Sequence, residues 1–97
     1  MKVIVHPAAT TDLTGAATFY AAKANQELGQ ALIVEFERTI QLVSENPELG
    51  IEWLPGTRRI TLRRFPFSVV YRLSPDHIFI IAVAHQRRRP GYWRQRN

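Results

Sequence analysis

The sequence predicts an α+β protein in which a helical hairpin packs on a small, largely antiparallel sheet. Two observations carry this prediction. Apolar residues recur at a helical period over much of the first half of the chain and at a period of two in the second half. Prolines and glycines punctuate the boundaries between these segments. The expected order is strand, helix, helix, strand, strand, strand, and the 97 residues fit a single domain spanning residues 1–97.

The first half of the chain is expected to form one strand and both helices. Residues 2–6 form a predicted strand, and Pro7 then supplies the fixed φ angle of a first helical turn. A helix is expected from about residue 8 to residue 24, with Asp12 near the positive N-terminal end of its dipole. A second helix is expected to end at about Asn46, because Pro47 cannot donate a backbone hydrogen bond.

The second half is expected to form the remaining strands. A loop is predicted to follow Pro47, and Ile60 and Leu62 then alternate with polar residues, as in a strand with one solvated face. Residues 67–73 are rich in strand-forming residues, and residues 77–86 are continuously apolar, as in a covered central strand. Residues 87–97 are predicted to form the exposed end of the last strand, with at most one helical turn.

Composition excludes several classes of protein. The chain has no cysteine, which excludes a disulfide scaffold and thiolate metal sites and favours the reducing cytoplasm. The three apolar residues before His6 are too few for a signal peptide, and no apolar run approaches the roughly 20 residues that span a bilayer. The histidines lack metal-ligand spacing and there is no glycine-rich phosphate loop, so we expect neither a metal nor a cofactor, and no membrane partner.

Charge is divided sharply along the chain. Up to residue 57 there are three basic and seven acidic residues, whereas residues 58–97 hold ten arginines and a single acidic residue, Asp76. Arginine presents a flat fork of donors that matches phosphate and carboxylate, whereas lysine would serve equally well for solubility alone. The C-terminal part therefore predicts a surface that binds an anionic partner.

Several segments, in their order and spacing, carry a resemblance to a known family. They are the opening strand with Pro7 and Asp12-Leu13, Asn46-Pro47, Arg58-Arg59, the run Arg64-Phe65-Pro66-Phe67, Val70-Tyr71-Arg72, and residues 84–93 from Ala84-His85 to Tyr92-Trp93. In this set the chain resembles the RelE/ParE superfamily of toxins from bacterial type II toxin-antitoxin pairs. The resemblance spans nearly the whole chain and implies the same order of elements as the periodicity does.

The resemblance implies a growth-inhibiting protein that is neutralised by a cognate antitoxin, in a gene pair that stabilises a plasmid or chromosomal segment. RelE-like members cut messenger RNA on the ribosome, whereas ParE-like members poison DNA gyrase. Ser68 stands where RelE-like members often carry an arginine, while Arg87 matches their arginine after the last strand. Tyr92 or Trp93 falls near their C-terminal tyrosine.

Metal-free RNA cleavage needs groups that neutralise phosphate and groups that exchange protons. Under the RelE-like interpretation the candidate catalytic residues are Arg64, His85, Arg87 and Tyr92. Equally, His85 closes the last strand through a hydrogen bond, and Tyr92 and Trp93 pack over the edge of the core.

The residues favour a ParE-like gyrase poison, because Ser68 breaks the cutting pattern. The alternatives are a RelE-like mRNA interferase, which is an endoribonuclease, and a generic RNA-binding module in which arginines and aromatic rings hold phosphates and bases. The predicted contacts to the target or to nucleic acid are Arg63, Arg64, Arg87, Arg88 and Trp93. The expected partners are the cognate antitoxin and either DNA gyrase or the ribosome with its mRNA.

Overall fold

Two helices pack against one face of a five-stranded sheet in the computed structural model, which describes residues 1–97. The elements are β1 (Lys2–Val5), α1 (Pro7–Lys23), α2 (Gln26–Glu45), β2 (Ile51–Glu52), β3 (Arg58–Thr61), β4 (Phe67–Leu73) and β5 (His77–His85). The strand order is β1-β5-β4-β3-β2, and only the β1–β5 pair is parallel. The predicted α+β class, with a helical hairpin on a largely antiparallel sheet, is confirmed.

The helix boundaries follow from local capping groups. At the start of α1, the His6 Nδ1 atom accepts a hydrogen bond from the Ala8 N–H at 2.9 Å, and Pro7 occupies the first turn. At the start of α2, the Asn25 side chain accepts a hydrogen bond from the Leu28 N–H at 2.8 Å. The second helix ends at Glu45, immediately before Asn46 and Pro47. The helix ends were therefore predicted to within a few residues.

The two helices approach closely where α2 carries a glycine. A Cβ atom added to Gly29 would lie 2.6 Å from the carbonyl oxygen of Ala17 in α1. The small residues Ala17 and Ala21 face it from α1, so backbone meets backbone at this crossing. Glycine is therefore required here by the packing of the hairpin, although it lowers the intrinsic helix propensity.

The sheet is covered on both faces. Alternate residues of β4 and β5, including Val69, Tyr71 and Ile80, face the helices in the larger core cluster. A second cluster on the other face contains Val70, Ile81, Ala82, Ala84 and Trp93, bordered by Trp53, Leu54, Phe79 and Tyr92. Ile81 and Ala82 share this face because a β-bulge opposite Val70 and Tyr71 inserts one extra residue into β5.

The predicted loop after Pro47 contains a short edge strand, β2, which the sequence pattern did not indicate. Its two residues pair with Arg58 and Arg59 of β3. The segment is held from below by Tyr71, whose hydroxyl donates to the Pro47 carbonyl at 2.7 Å and accepts from the Gly50 N–H at 2.9 Å. A strand of two residues has no periodicity, so long-range anchoring rather than local pattern places it in the sheet.

An ion pair covers the exposed edge of β5. The parallel partner β1 ends opposite Ile80, which leaves the last five residues of β5 without a neighbouring strand on that side. The Asp12 carboxylate accepts from the Val83 N–H at 3.1 Å and from the Arg96 guanidinium at 2.7 Å. Arg96 also donates to the Ile81 carbonyl at 3.1 Å. These two side chains satisfy backbone groups that another strand would otherwise pair with.

The prediction for Asp12 was therefore wrong. The first turn of α1 contains no acidic residue, because the helix begins at Pro7 and Asp12 lies in its second turn. From there its side chain reaches β5 and the C-terminal segment instead of the helix N-terminus.

The C-terminal segment is not an exposed strand end, as the sequence had suggested. Residues 87–97 form consecutive turns without a helix, and they fold back over the second face of the sheet. Trp93 is only 2% exposed and its ring lies 5.1 Å from that of Trp53. Together with the Arg96–Asp12 ion pair, this burial fixes the segment to the sheet. No helix in the structure combines the length and apolar character needed to cross a membrane.

We expect Gly29→Ala to destabilise the protein, because the new methyl group must push the helices apart. The expected loss is about 1–3 kcal/mol. Gly15→Ala is the matched control, since a Cβ atom at Gly15 meets nothing within 4 Å. The control should be stabilised by about 0.5–1 kcal/mol through helix propensity. Thermal unfolding followed by circular dichroism measures both, and equal melting temperatures would contradict the close helix crossing.

We expect Asp12 and Arg96 to be energetically coupled, because their side chains are only 15% and 19% exposed. Asp12→Asn and Arg96→Gln should each cost about 2–3 kcal/mol, since each leaves a charged partner unpaired. The double variant should cost less than the sum, with a coupling of about 1–2 kcal/mol in a urea-denaturation cycle. Arg94→Gln, in the same segment but without an ion-pair partner, should change stability by less than about 0.5 kcal/mol. Additivity of the two single variants would refute the coupling.

Candidate functional site

The pairing of β4 with β5 brings two arginine-rich turns together. Phe67 at the start of β4 pairs with His85 at the end of β5, and the Gln86 N–H donates to the Pro66 carbonyl at 2.8 Å. The turn before β4 and the turn after β5 therefore meet at one end of the sheet. We call this region the arginine end and define it by the exposed residues Arg63, Arg64, Arg87, Arg88 and Arg89.

The ten arginines of the C-terminal part fall into two groups. Four are half-buried and bound within the fold. Arg96 pairs with Asp12, Arg72 donates to the Arg96 carbonyl, Arg59 stacks on Trp53 at 4.3 Å, and Arg58 donates to the Gly50 carbonyl. The guanidinium groups of the arginine end make no hydrogen bond or ion pair within the chain, and neither does that of Arg94. The predicted anion-binding surface is thus smaller than the charge count suggested.

Helix α2 holds the first arginine turn in place. The Glu35 carboxylate accepts a hydrogen bond from the Arg63 backbone N–H at 2.7 Å and two from the Arg38 guanidinium at 2.8 Å. The hydrogen bond from Arg38 keeps the pKa of Glu35 below its ordinary value, and the Arg63 N–H acts in the same direction. Because Glu35 binds the backbone of Arg63, the guanidinium of Arg63 stays free.

A cleft of about 270 Å³ lies beside the arginine end, between α1 and the end of β5. His85, Arg88 and Tyr92 line it, so the structure brings together three of the residues predicted for catalysis or contact. The His85 Nδ1 atom accepts from the Arg87 N–H at 3.0 Å, which leaves Nε2 to carry the proton of the neutral ring. The His85 ring also packs edge-on against Phe67 at 5.0 Å.

The Tyr92 hydroxyl points away from the solvent side of this cleft. It lies 3.4 Å from Asp12, and the Arg88 guanidinium stacks on the ring at 4.0 Å. Burial, reinforced by the charge of Asp12, raises the pKa of Tyr92 above its ordinary value. The hydroxyl therefore remains protonated at neutral pH and serves as a weak hydrogen-bond donor to a carboxylate.

The remaining predicted residues are placed as follows. Arg64 and Arg87 lie on the two turns, outside the lining of the cleft. Ser68 lies on the face of β4 opposite the helices, with its hydroxyl 3.3 Å from that of Thr61. Trp93, predicted as a contact, is buried in the second cluster, so its ring is not available on the surface.

Three residues that organise the site were not singled out by sequence reasoning for these roles. Glu35, Arg96 and Arg89 were counted only as charges, and Asp12 was assigned to the helix dipole. No periodic pattern marks Glu35 or Asp12, because each acts on a residue far away in the chain. Arg89 carried a signal, since it continues the run of arginines at positions 87 and 88.

We expect Glu35 to make the stability of the protein depend on acid. Its pKa is lowered on folding, so its contribution is present above its unfolded pKa of about 4.3 and is lost as the pH falls through the lower folded value. Wild type should therefore lose more stability than Glu35→Gln between about pH 5 and pH 2 in urea denaturation. Glu37→Gln, whose exposed carboxylate has no partner in the chain, is the control and should follow wild type. Parallel pH profiles for wild type and Glu35→Gln would contradict the assignment.

Comparisons with known proteins agree with this architecture. The chain is similar in structure to a protein described as the chromosomal ParDE TA system from P. aeruginosa, with a TM-score of 0.78 and 22% sequence identity over 88% of this chain and 95% of that chain. This likeness shows a shared fold. A search of curated proteins finds no match. A family model described as ParE toxin of type II toxin-antitoxin system, parDE, matches residues 3–90. Since this match covers most of the chain, the protein belongs to the ParE toxin family of type II toxin-antitoxin systems.

Proposed function

We propose that this toxin arrests growth by acting on DNA gyrase, and that it contacts its target through the arginine end. The observation that carries the proposal is the group of five exposed arginines without internal partners, in a chain that belongs to the ParE toxin family. Arginines that served the fold would be paired within it, as Arg58 and Arg96 are. Those of the arginine end are free to bind an anionic target.

The cleft supports this function better than it supports RNA cleavage. A general base must be able to accept a proton, yet the Tyr92 hydroxyl is held protonated beside Asp12. His85 uses Nδ1 to fix the turn at Arg87. Ser68 supplies no positive charge on the central strand to stabilise a pentacoordinate phosphate.

RelE-like cleavage of mRNA is the second candidate, and one observation favours it. His85, Arg88 and Tyr92 line a common cleft beside further arginines, which is a combination that could bind phosphate and exchange protons. This candidate requires the Tyr92 hydroxyl or the His85 ring to take part in the reaction. Both requirements can be tested with conservative variants.

A cognate antitoxin is the proposed inhibitor, as the ParDE description of the P. aeruginosa structure suggests. A second surface suits such a protein. At the other end of β4, Met1 and Leu73 are exposed and line a cleft of about 480 Å³ with Pro47 and Pro75. We propose that the antitoxin places apolar side chains there and acidic ones near the arginines. The pair acts in the cytoplasm and stabilises the plasmid or chromosomal segment that encodes it.

We expect the purified protein to inhibit supercoiling by gyrase and to leave mRNA on translating ribosomes intact. Inhibition should be lost in the Arg87→Ala/Arg88→Ala variant, because the two unpartnered charges are removed without loss of an internal contact other than the Arg88 stack. Induced expression in a bacterial host should give growth arrest for wild type and not for this variant. Cleavage of mRNA with no effect on supercoiling would overturn the proposed target.

Tyr92→Phe and His85→Asn separate the two candidate activities. Tyr92→Phe retains the ring beneath Arg88, and His85→Asn retains a side-chain acceptor for the Arg87 N–H while removing the imidazole. Under the gyrase proposal, both variants keep growth arrest within about twofold, whereas loss of a general acid or base typically costs about 10²–10⁴ in rate. Loss of growth arrest in both, with folding intact, would favour RNA cleavage.

A further inference from the structure

Arg64 has a backbone conformation that its side chain disfavours. Its φ angle is 69°, and the other residues with positive φ, Gly56 and Gly91, are glycines. In this left-handed region the Cβ atom of an L-residue approaches the following carbonyl oxygen, so glycine, and to a lesser degree asparagine, is the usual choice. Arginine at this position therefore lowers the stability of the fold.

The surrounding chain imposes this conformation. Leu62 and Phe65, on either side of the turn, are both buried, and the Leu62 N–H donates to the Phe67 carbonyl at 2.9 Å. The backbone must therefore reverse within a few residues while both apolar side chains enter the core. The Glu35 carboxylate fixes the neighbouring Arg63 N–H from α2.

Nothing inside the molecule compensates for the strain. The Arg64 guanidinium makes no hydrogen bond or ion pair, and its nearest aromatic ring, Phe65, lies at 5.7 Å. The side chain is exposed. A strained residue that gains no internal contact is typical of a position that serves function rather than folding.

We infer that Arg64 occupies this turn because its guanidinium binds a phosphate of duplex DNA, so that the partner of the arginine end is a nucleic-acid backbone. This inference rests on the proposed function, since gyrase acts on DNA. Interfaces with DNA are polar and strongly positive, whereas the core of a protein interface is apolar. None of the large exposed apolar residues belongs to the two arginine turns. The arginine end therefore suits a phosphate backbone better than an acidic protein segment.

The test compares three variants in binding to a short DNA duplex, measured by fluorescence anisotropy over a range of salt concentrations. Arg64→Gly removes the guanidinium and relieves the backbone strain, whereas Arg64→Ala removes the guanidinium and keeps the strain. Arg94→Ala is the control for net charge, because Arg94 is also exposed and unpartnered but lies beside Trp93 and Leu54, away from the two turns.

We expect both Arg64 variants to bind DNA about fivefold more weakly, as expected for one charge-assisted hydrogen bond. The slope of log K against log salt concentration should fall by about 0.9, the value for one phosphate contact. Arg94→Ala should match wild type in both quantities. Arg64→Gly should melt about 3–6 °C above Arg64→Ala although the two bind equally weakly.

Unchanged DNA affinity and salt slope in the Arg64 variants would overturn the inference even if supercoiling is still inhibited. An equal loss in Arg94→Ala would also overturn it, because net charge alone would then explain binding. Weaker binding of a polyglutamate peptide, with DNA binding unaffected, would assign Arg64 to an acidic protein partner instead. If the Arg64 variants lose DNA binding while wild type leaves gyrase untouched, the phosphate contact stands and the proposed target fails.

Discussion

The antiparallel pairing of β4 with β5 is the constraint on which the rest of the molecule depends. These strands form the centre of both core clusters, and their register places Phe67 opposite His85. Because both strands are covered on two faces, a shift of one residue would turn apolar side chains away from each cluster. The same register sets the turn before β4 beside the turn after β5. The core and the arginine end are therefore determined by one pairing.

The arginines show how a basic chain divides charge between folding and binding. Arg96 and Arg58 bind carbonyl or carboxylate groups that would otherwise be unsatisfied at the sheet edges. The Asp12–Arg96 pair also fixes the C-terminal segment, which buries Trp93 and covers the second face of the sheet. With these contacts made, the remaining guanidinium groups at the arginine end have no acidic neighbour to neutralise them except Glu35, which binds Arg38 and the Arg63 backbone.

Much of the fold was predictable because its signals are local. Pro7 and Pro47 marked helix ends, and the strand formers at residues 67–73 gave β4 with its observed limits. The short strand β2 and the roles of Asp12 and Glu35 were not predictable, since each depends on partners more than ten residues away and on side-chain hydrogen bonds. The candidate site was predicted as residue types but not as geometry. Burial of Trp93 and the positive φ of Arg64 appear only when the chain is folded.

The central claim is that the arginine end, and not the basic surface as a whole, binds an anionic partner. NMR spectroscopy of the labelled protein during titration with a short DNA duplex tests it most directly, because every backbone amide reports separately. Signals from residues 62–66 and 86–89 should shift together, while those around Arg58, Arg72 and Arg94 stay in place. Shifts spread evenly over all the arginines, or confined to the C-terminal segment after Tyr92, would contradict the account.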